Sequence, residues 1–337
     1  MGRLNPVFVE VTRGDMVESR HRGAAAVVGA DGSVVHAWGD VERPVYSRSA
    51  IKPLQALPLV ETGAAEAFAV SDAEIALACG SHGGAPEHVR PVAAWLERIG
   101  LAPADLECGT HPPTDHAAAG ALVRAGEEPS PLHNNCSGKH AGFLTTAVHL
   151  GEATAGYVGP DHPVQQRVES VLADLGGVAL EGAARGTDGC GIPVIAMPLT
   201  AIARAMARLA DPRGLAPARA AAVRRIVAAM TGHPGLVAGR ERFDTVAIAA
   251  GRGAFVVKIG AEGVYAAAVP ASGLGVALKI DDGARRAAET AITVLLRHLG
   301  ALDAKAQAAL EPYLDRPVPN RAGVRVGSVG VAKGWLD

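Results

Sequence analysis

The hydrophobic pattern divides the chain into three consecutive parts. Short apolar runs and alternating positions predict strands in the first part, at Pro6–Thr12, Gly23–Gly29 and Ser33–Trp38. The turn residues Asp31 and Gly32 join the second and third strands into a predicted hairpin. From about residue 49 to residue 231 the apolar positions recur with helical spacing instead.

The middle part carries several helix start signals. Ser71 and Glu74 have the spacing of a capping box, which opens a short helix toward Cys79. Longer helices are predicted at Pro86–Ile99, Asp115–Ala125, Ser137–Leu150, Pro163–Leu175, Ala201–Leu209 and Pro217–Met230.

The last part returns to strand patterns. Strands are predicted at Thr245–Ala249, Ala254–Ile259, Val264–Val269 and Gly275–Ile280, followed by a helix at Ala284–Leu299. Gly260–Gly263 should form a hairpin turn. We therefore predict one α+β domain over residues 1–337. Its antiparallel sheet is built from about residues 1–48 and 240–337, with a helical region of about residues 49–239 between them.

Composition and charge narrow the classes of function. Apolar residues make up 49% of the chain and charged residues 20%, which is typical of a globular protein. The net charge is −2 and no run of like charges occurs, so neither nucleic acid nor an anionic membrane is an expected partner. No apolar segment has the length of a signal or a membrane span, so we expect a cytoplasmic protein with a small-molecule substrate.

Lysine is scarce in this chain, with six lysines among 32 basic residues. Lysine can lose its proton in a suitable site and act as a base, nucleophile or metal ligand, whereas arginine cannot. Ser49 and Lys52 lie one turn apart if a helix begins at Ser49, so the amine can reach the hydroxyl. The helix N-terminus favours the neutral amine that a general base requires. The alternative for S-x-x-K is a helix cap followed by a solvated lysine.

Two further segments favour the catalytic interpretation. Ser81 and His82 lie in a glycine-rich loop, where backbone can approach a ligand closely. Lys258 lies on a predicted strand two residues before Gly260, which should leave that face open. S-x-x-K at a helix start, a loop serine and K-x-G on a strand occur in this order in serine β-lactamase-like sites. A loop-forming serine and a structural histidine are the alternatives.

The third candidate site contains cysteines. Cys136 and Lys139 have the spacing of two ligands on a loop-to-helix turn, and Cys190 lies in a second glycine-flanked loop. Two thiolates, one further ligand and a water suit tetrahedral Zn²⁺, with Lys139 bound as the neutral amine. The alternative is a pair of buried free cysteines.

Five segments together resemble the class 3, rhizobial-type L-asparaginases of the asparaginase II family. They are S-R-S-A-I-K-P, A-C-G-S-H-G-G, H-N-N-C-S-G-K-H-A-G-F, G-T-D-G-C-G-I-P and K-I-G-A-E-G-V-Y, and the similarity runs from about Pro6 to Val331.

This resemblance implies a fold similar to serine β-lactamases and glutaminases, a homodimer, and hydrolysis of L-asparagine to aspartate and ammonia. It implies two Ser-Lys tandems, Ser49 with Lys52 and Ser81 with Lys258. It also implies zinc ligands at Cys136, Lys139 and Cys190 with Asp188 close by.

We therefore predict an L-asparagine amidohydrolase that acts through a serine acyl-enzyme and binds about one zinc per subunit. Arg48 could bind the substrate carboxylate as a bidentate fork. His82, Asn134 and Asp188 are the other predicted substrate-binding residues. The alternatives are a glutaminase or a penicillin-recognising hydrolase on the same scaffold, and a non-catalytic, zinc-dependent amino-acid-binding protein.

Overall fold

The structure is a computed structural model that describes residues 4–336. The strands in these residues are β1 (Val7–Arg13), β2 (Met16–Gly29), β3 (Val34–Trp38), β4 (Val45–Tyr46), β5 (Arg185–Thr187), β6 (Pro193–Met197), β7 (Val256–Ile259), β8 (Val264–Val269), β9 (Leu274–Ile280), β10 (Asp315–Pro319) and β11 (Arg325–Val331).

The α-helices are α1 (Lys52–Gln55), α2 (Leu57–Glu61), α3 (Ala64–Ala67), α4 (Asp72–Ala78), α5 (Pro86–Arg98), α6 (His116–Ala125), α7 (Ser137–Leu150), α8 (Pro163–Gly176), α9 (Leu199–Ala210), α10 (Pro217–Gly232), α11 (Pro234–Val237), α12 (Phe243–Gly251), α13 (Arg285–His298) and α14 (Ala304–Leu310). Short 3-10 helices span Arg48–Ile51, Pro103–Asp105, Pro131–His133 and Glu311–Tyr313.

The chain forms two compact units. The sheet unit consists of the described parts of Met1–Ala50, Met197–Asp211 and Ala249–Asp337. The helical unit consists of Ile51–Ala196 and Pro212–Ile248. Helix α9, which lies within the segment predicted to be the helical region, therefore belongs to the sheet unit. The prediction of a single domain over the whole chain stays a prediction.

An antiparallel sheet forms the core of the sheet unit. Its strand order is β10-β11-β1-β2-β9-β8-β7, and β3 pairs with β2 beside this path. Each pairing is antiparallel, and both chain ends contribute strands. The predicted α+β class, with an antiparallel sheet built from both terminal segments, is confirmed. The two predicted hairpins are confirmed as well, because β2 pairs with β3 and β7 with β8.

Helices cover the centre of this sheet. All six residues of β8 are buried, so both faces of this strand are covered. Helix α9 contacts β2, β8 and β9, and α13 contacts β1, β8, β9 and β11. Gly275 allows the closest of these approaches, since a Cβ there would lie 1.9 Å from the backbone oxygen of Ala203 in α9. The continuous apolar run of β8 follows from this burial on two faces.

Helix α7 is the centre of the helical unit. It contacts α2, α3, α4, α5 and α8, and its residues from Ser137 to Ala147 are all buried. A Cβ at Gly138 would lie 2.6 Å from the backbone oxygen of Leu77 near the end of α4. This glycine therefore lets the start of α7 pack directly against the end of α4.

One predicted strand is wrong, because Thr245–Ala249 lies inside helix α12. A short, mostly apolar run is compatible with either a buried strand or a buried helix, and periodicity cannot distinguish them. Tertiary contacts decide the outcome here. The Thr245 hydroxyl lies 2.7 Å from the Gly239 carbonyl oxygen and 3.1 Å from that of Pro234, which ties the first turn of the helix to the preceding loop.

No helix within residues 4–336 is both long and apolar enough to cross a membrane.

Candidate active site

The loop that carries Ser81 begins at the end of α4. The predicted capping box is present, since the Ser71 hydroxyl accepts from the Glu74 amide at 3.3 Å and the Glu74 carboxylate accepts from the Ser71 amide at 2.8 Å. Gly80 then packs against the short helix α11, because a Cβ there would lie 2.6 Å from the Leu236 oxygen. The Ser81 amide donates to the Val237 oxygen at 2.7 Å.

The side chain of Ser81 is buried without a hydrogen-bond partner. Ser81 is 6% exposed, and its hydroxyl oxygen finds no donor or acceptor among the residues that the structure describes. A buried hydroxyl without a partner costs free energy on the order of 1–3 kcal/mol. Such a group is available to a bound molecule, whereas most hydroxyls of the neighbouring helices already bond to backbone carbonyls.

Lys52 is the first residue of α1 and is completely buried. Its Nζ donates to the backbone oxygen of Gly80, and to that of Asn135 at 3.3 Å. Burial lowers the pKa of Lys52 below its ordinary value, although the charge of Cys136 opposes this shift. Two carbonyl acceptors can be bonded by a neutral amine, which has two N–H bonds, or by an ammonium group, which has three, and Lys52 also hydrogen-bonds with Cys136.

Ser49 lies in the 3-10 helix Arg48–Ile51, directly before α1. The backbone is therefore helical across the S-x-x-K spacing, as predicted. Arg48 has a left-handed backbone conformation with φ of +51°, which costs free energy in a residue other than glycine and is often found at functional sites. Ser49 and Arg48 are both partly exposed.

Lys258 lies on β7 in the sheet unit and is completely buried. Its Nζ donates to the Ile259 oxygen at 3.0 Å. The expectation that Gly260 leaves the adjoining face open is wrong. A Cβ at Gly260 would lie 2.6 Å from the Ser47 oxygen and 3.2 Å from the Ala50 nitrogen, so the end of β7 packs against the backbone that carries Ser49.

The predicted metal ligands come together in the helical unit. Cys136, Lys139 and Cys190 are all buried, and the Lys139 Nζ donates to the Cys190 Sγ at 3.1 Å. A hydrogen bond from Cys190 holds the pKa of Cys136 well below its usual value and raises the pKa of Cys190 itself. Burial alone would lower the pKa of Lys139, but the charge of Cys136 and then that of Cys190 raise it above its ordinary value.

This cluster fits zinc by its donor atoms, because two sulfurs and one nitrogen are ligands that zinc accepts. Within residues 4–336 no group of three His, Cys, Asp or Glu residues could hold a metal, and Lys139 stays the predicted third ligand. In a tetrahedral zinc site a nitrogen and a sulfur ligand lie about 3.6 Å apart. The Lys139 Nζ and Cys190 Sγ are 3.1 Å apart in a direct hydrogen bond, so they would have to separate by about 0.5 Å to bind one zinc ion.

Asn134 uses its side chain within the protein. Its amide nitrogen donates to the Cys108 oxygen at 2.7 Å and to the Gly109 oxygen at 3.2 Å, and its amide oxygen accepts from the Cys136 amide at 2.8 Å. The structure thus gives Asn134 a scaffold role beneath Cys136. Its role in substrate binding stays a prediction.

Asp188 and His82 are the other predicted substrate-binding residues. The Asp188 carboxylate accepts from the Gly189 amide at 2.6 Å, and its charge contributes to the raised pKa of Lys139. His82 is completely buried and both of its ring nitrogens lie within hydrogen-bond distance of protein atoms.

The sequence analysis did not identify the backbone of Asn135 or the hydroxyl of Ser137 as parts of the site. The Asn135 oxygen accepts from both Lys52 and the His82 amide, the latter at 3.2 Å, while the Asn135 amide donates to His111 Nε2 at 3.0 Å. The hydroxyl of Ser137 also belongs to this network. The segment H-N-N-C-S-G-K-H contains Asn135 and Ser137, but the side chain of a residue does not indicate which hydrogen bonds its backbone carbonyl will accept.

Comparison with known proteins gives one family and several distant structures. The family model described as L-asparaginase II matches residues 9–331. No curated protein shows a significant sequence match to the chain.

Among solved structures, Mglu in its tris and glutamate form is 15% identical with a TM-score of 0.46, over 89% of this chain and 64% of that chain. This chain therefore matches less than two-thirds of that Mglu chain. A β-lactamase from Mycobacterium bovis is 16% identical with a TM-score of 0.40, over 86% and 94% of the two chains. A D-alanine carboxypeptidase from Burkholderia cenocepacia is 13% identical with a TM-score of 0.41, over 83% and 93%.

Proposed function

This chain belongs to the L-asparaginase II family, a family of amidohydrolases, and on that premise we propose that it hydrolyses the side-chain amide of L-asparagine to L-aspartate and ammonia. The observation that carries the proposal is the complete burial of Lys52, which lowers the pKa of its amine and favours the neutral form that a general base requires. The partnerless hydroxyl of Ser81, in the loop that Lys52 contacts, supports it.

In the proposed acylation step, Lys52 takes the proton of the Ser49 hydroxyl. The Ser49 oxygen then attacks the side-chain amide carbon of the substrate, and the resulting tetrahedral intermediate collapses when the carbon–nitrogen bond breaks. The departing nitrogen needs one proton to leave as ammonia. Ser81 and Lys258 would relay to it the proton that Lys52 took from Ser49, and would stabilise the oxyanion of the intermediate. Water then attacks the Ser49 ester, and aspartate leaves as the serine regains its proton.

Two of the remaining predicted residues would bind the substrate, and three would bind a metal. Arg48 would hold the α-carboxylate, and Asp188 would face the α-amino group, because their charges are opposite to those groups. Cys136, Lys139 and Cys190 would hold the zinc ion. When bound, zinc would supply a fixed positive charge that orients the substrate. The chemistry of a serine nucleophile does not require a metal-bound water.

Zinc content tests this part of the proposal. We expect about one zinc per subunit in the purified protein, and less than about a tenth of that in Cys136→Ala and in Cys190→Ala, because each loses one of three protein ligands. Cys108→Ala is the matched control, since burial raises the pKa of the Cys108 thiol to about 12 and keeps it protonated. Elemental analysis of the four proteins provides the measurement. Equal metal content in all four proteins would contradict the proposed zinc site.

Substrate length tests the asparagine specificity. Asparagine and glutamine differ by one methylene, which packing alone discriminates by about 10–200-fold. If Arg48 and Asp188 anchor the α-groups, the longer side chain also moves the amide carbon away from Ser49, and misalignment adds to exclusion. We therefore expect kcat/KM for asparagine to exceed that for glutamine by more than about 200-fold. Comparable values would favour the glutaminase alternative.

Ammonia release on addition of asparagine is the experiment that tests the function as a whole. Parallel assays with glutamine and nitrocefin separate the proposed enzyme from a glutaminase and from a penicillin-recognising hydrolase. A protein that binds asparagine and releases no ammonia would instead be an amino-acid-binding protein. The homodimer implied by the resemblance and the cytoplasmic location expected from the sequence remain predictions, and the molecular mass in solution tests the former.

A further inference from the structure

The imidazole of His82 lies in a fully defined hydrogen-bond environment. The Gly84 amide donates to His82 Nδ1 at 3.2 Å, so Nδ1 is an acceptor and carries no proton. In a neutral imidazole the other nitrogen then carries the proton. Nε2 lies 2.9 Å from the Ser137 hydroxyl, which it can therefore only donate to. Both nitrogens are thus occupied, and neither is left to bind a substrate.

Ser137 continues this chain of hydrogen bonds. Its hydroxyl accepts from His82 and donates to the Leu132 oxygen at 3.0 Å, so its single proton is used as well. Ser137 is completely buried, is the first residue of α7 and directly follows Cys136. The link from His82 to Ser137 therefore joins the loop of Ser81 to the segment that carries Cys136 and Lys139.

A second histidine packs against the face of the His82 ring. The rings of His82 and His88 stack with centroids 5.0 Å apart and an interplanar angle of 7°. His88 Nε2 lies 3.2 Å from the Gly235 oxygen and donates to it. One face of the His82 ring is thus covered by a second fixed ring, and rotation of the imidazole would break two hydrogen bonds and the stack.

We infer that His82 and Ser137 are positioning residues, which fix the position of the Ser81 hydroxyl relative to the Cys136–Lys139 segment. We also infer that His82 is not a substrate ligand. This inference rests on the proposed function of Ser81. The Ser81 side chain has no hydrogen bond of its own within residues 4–336, so its direction depends on the two neighbours that fix the loop backbone. The Ser81 amide donates to the Val237 oxygen. The next residue along the loop, His82, is held through its ring.

The test removes the hydroxyl acceptor without touching a substrate-binding group. Ser137→Ala should lower kcat for asparagine by about 10–100-fold and change KM by less than about 3-fold, because a misplaced catalytic hydroxyl slows the reaction more than it weakens binding. Thr145→Val is the matched control. It removes another completely buried hydroxyl of α7, one that donates to the Ala141 oxygen at 2.7 Å within the helix, and it should keep kcat within about 3-fold.

A double-mutant cycle separates this pair from two independent residues. His82→Asn keeps an acceptor near the Gly84 amide and loses the donor to Ser137. If the two residues act through one link, kcat of the His82→Asn/Ser137→Ala enzyme should be no more than about 3-fold below kcat of the less active single variant. Effects that multiply would overturn the inference. A raised KM with unchanged kcat in His82→Asn would also overturn it, because that pattern marks a substrate ligand.

Two measurements need no activity and keep the inference separate from the proposed function. Long-range proton–nitrogen NMR of the histidine rings should show His82 neutral with its proton on Nε2, and a proton on Nδ1 would overturn the assignment. Amide hydrogen exchange in residues 81–84 should be faster in Ser137→Ala than in Thr145→Val. Equal exchange would overturn the positioning role. A wild-type protein that releases no ammonia would contradict only the proposed function.

Discussion

The Lys52→Met protein is expected to hydrolyse asparagine about 10²–10⁴-fold more slowly than the wild type, the usual contribution of a general base. Lys52 Nζ is completely buried, and burial lowers its pKa and favours the neutral amine that a general base requires. Methionine fills a similar volume and cannot accept a proton. Lys52→Arg should lose activity to a similar extent, because arginine keeps its proton at any working pH. Steady-state kcat with asparagine is the measurement.

Lys279 offers a matched control for this experiment. Its Nζ also donates to backbone oxygens, that of Glu262 at 2.7 Å and that of Ile280, but it lies outside the proposed machinery. Lys279→Met should keep kcat within about 3-fold. The melting temperature of each variant separates lost chemistry from lost stability, since Lys52 also joins the loops of Gly80 and Asn135. A folded Lys52→Arg enzyme with near-normal kcat would exclude the neutral amine as the base.

Replacing Ser49 by alanine is expected to have the largest effect, a loss of about 10⁴–10⁶-fold in kcat, comparable to removal of a serine nucleophile in other hydrolases. The alanine variant has no atom that can form the ester, so no acyl-enzyme should accumulate. Intact-protein mass spectrometry of samples quenched with acid during turnover measures the adduct. The Ser81→Ala enzyme should be slower than wild type but should still form the ester on Ser49, because Ser81 is proposed to move a proton rather than to attack.

Ser47 provides the control for Ser49. It lies two residues away, its hydroxyl is completely buried, and it has no hydrogen-bond partner within residues 4–336. Ser47→Ala removes a polar group that gains nothing from burial, so kcat should stay within about 3-fold and stability should be unchanged or slightly higher. An ester found on Ser81 in the Ser49→Ala enzyme, with kcat close to wild type, would exchange the roles of the two serines.

Local signals in the sequence predicted the parts of the fold that local interactions determine. The hairpin turns at Asp31-Gly32 and Gly260–Gly263 and the capping box at Ser71 depend on residues within a few positions of each other, and the structure contains all of them. The two last strands, β10 and β11, were missed. Pro317 and Pro319 lie in β10 and glycines interrupt β11, so neither segment has the composition of a strand.

Tertiary packing decided where local signals were ambiguous. Four of the five residues in the run Thr245–Ala249 are apolar, and a short apolar run is typical of a strand as well as of a buried helix. The structure places it in α12, where contacts of Thr245 with Gly239 and Pro234 fix the first turn. Ala249, the exposed residue of this run, is itself apolar, so the sequence shows no polar face that would mark an amphipathic helix.

The sequence by itself determined the chemical inventory of the site: the rare lysines, the loop serines, the two cysteine segments and the family to which they belong. Only the tertiary structure decided which of these groups meet. Cys190 reaches Lys139 from 51 positions away, and Lys52 reaches Asn135 from 83. His82 has a reactive side chain, yet Gly84 and Ser137 occupy both of its nitrogens. The physical reason is that a hydrogen bond depends on distance and direction to within a few tenths of an ångström. Packing of segments distant in sequence sets those quantities, and residue type and local spacing do not encode them.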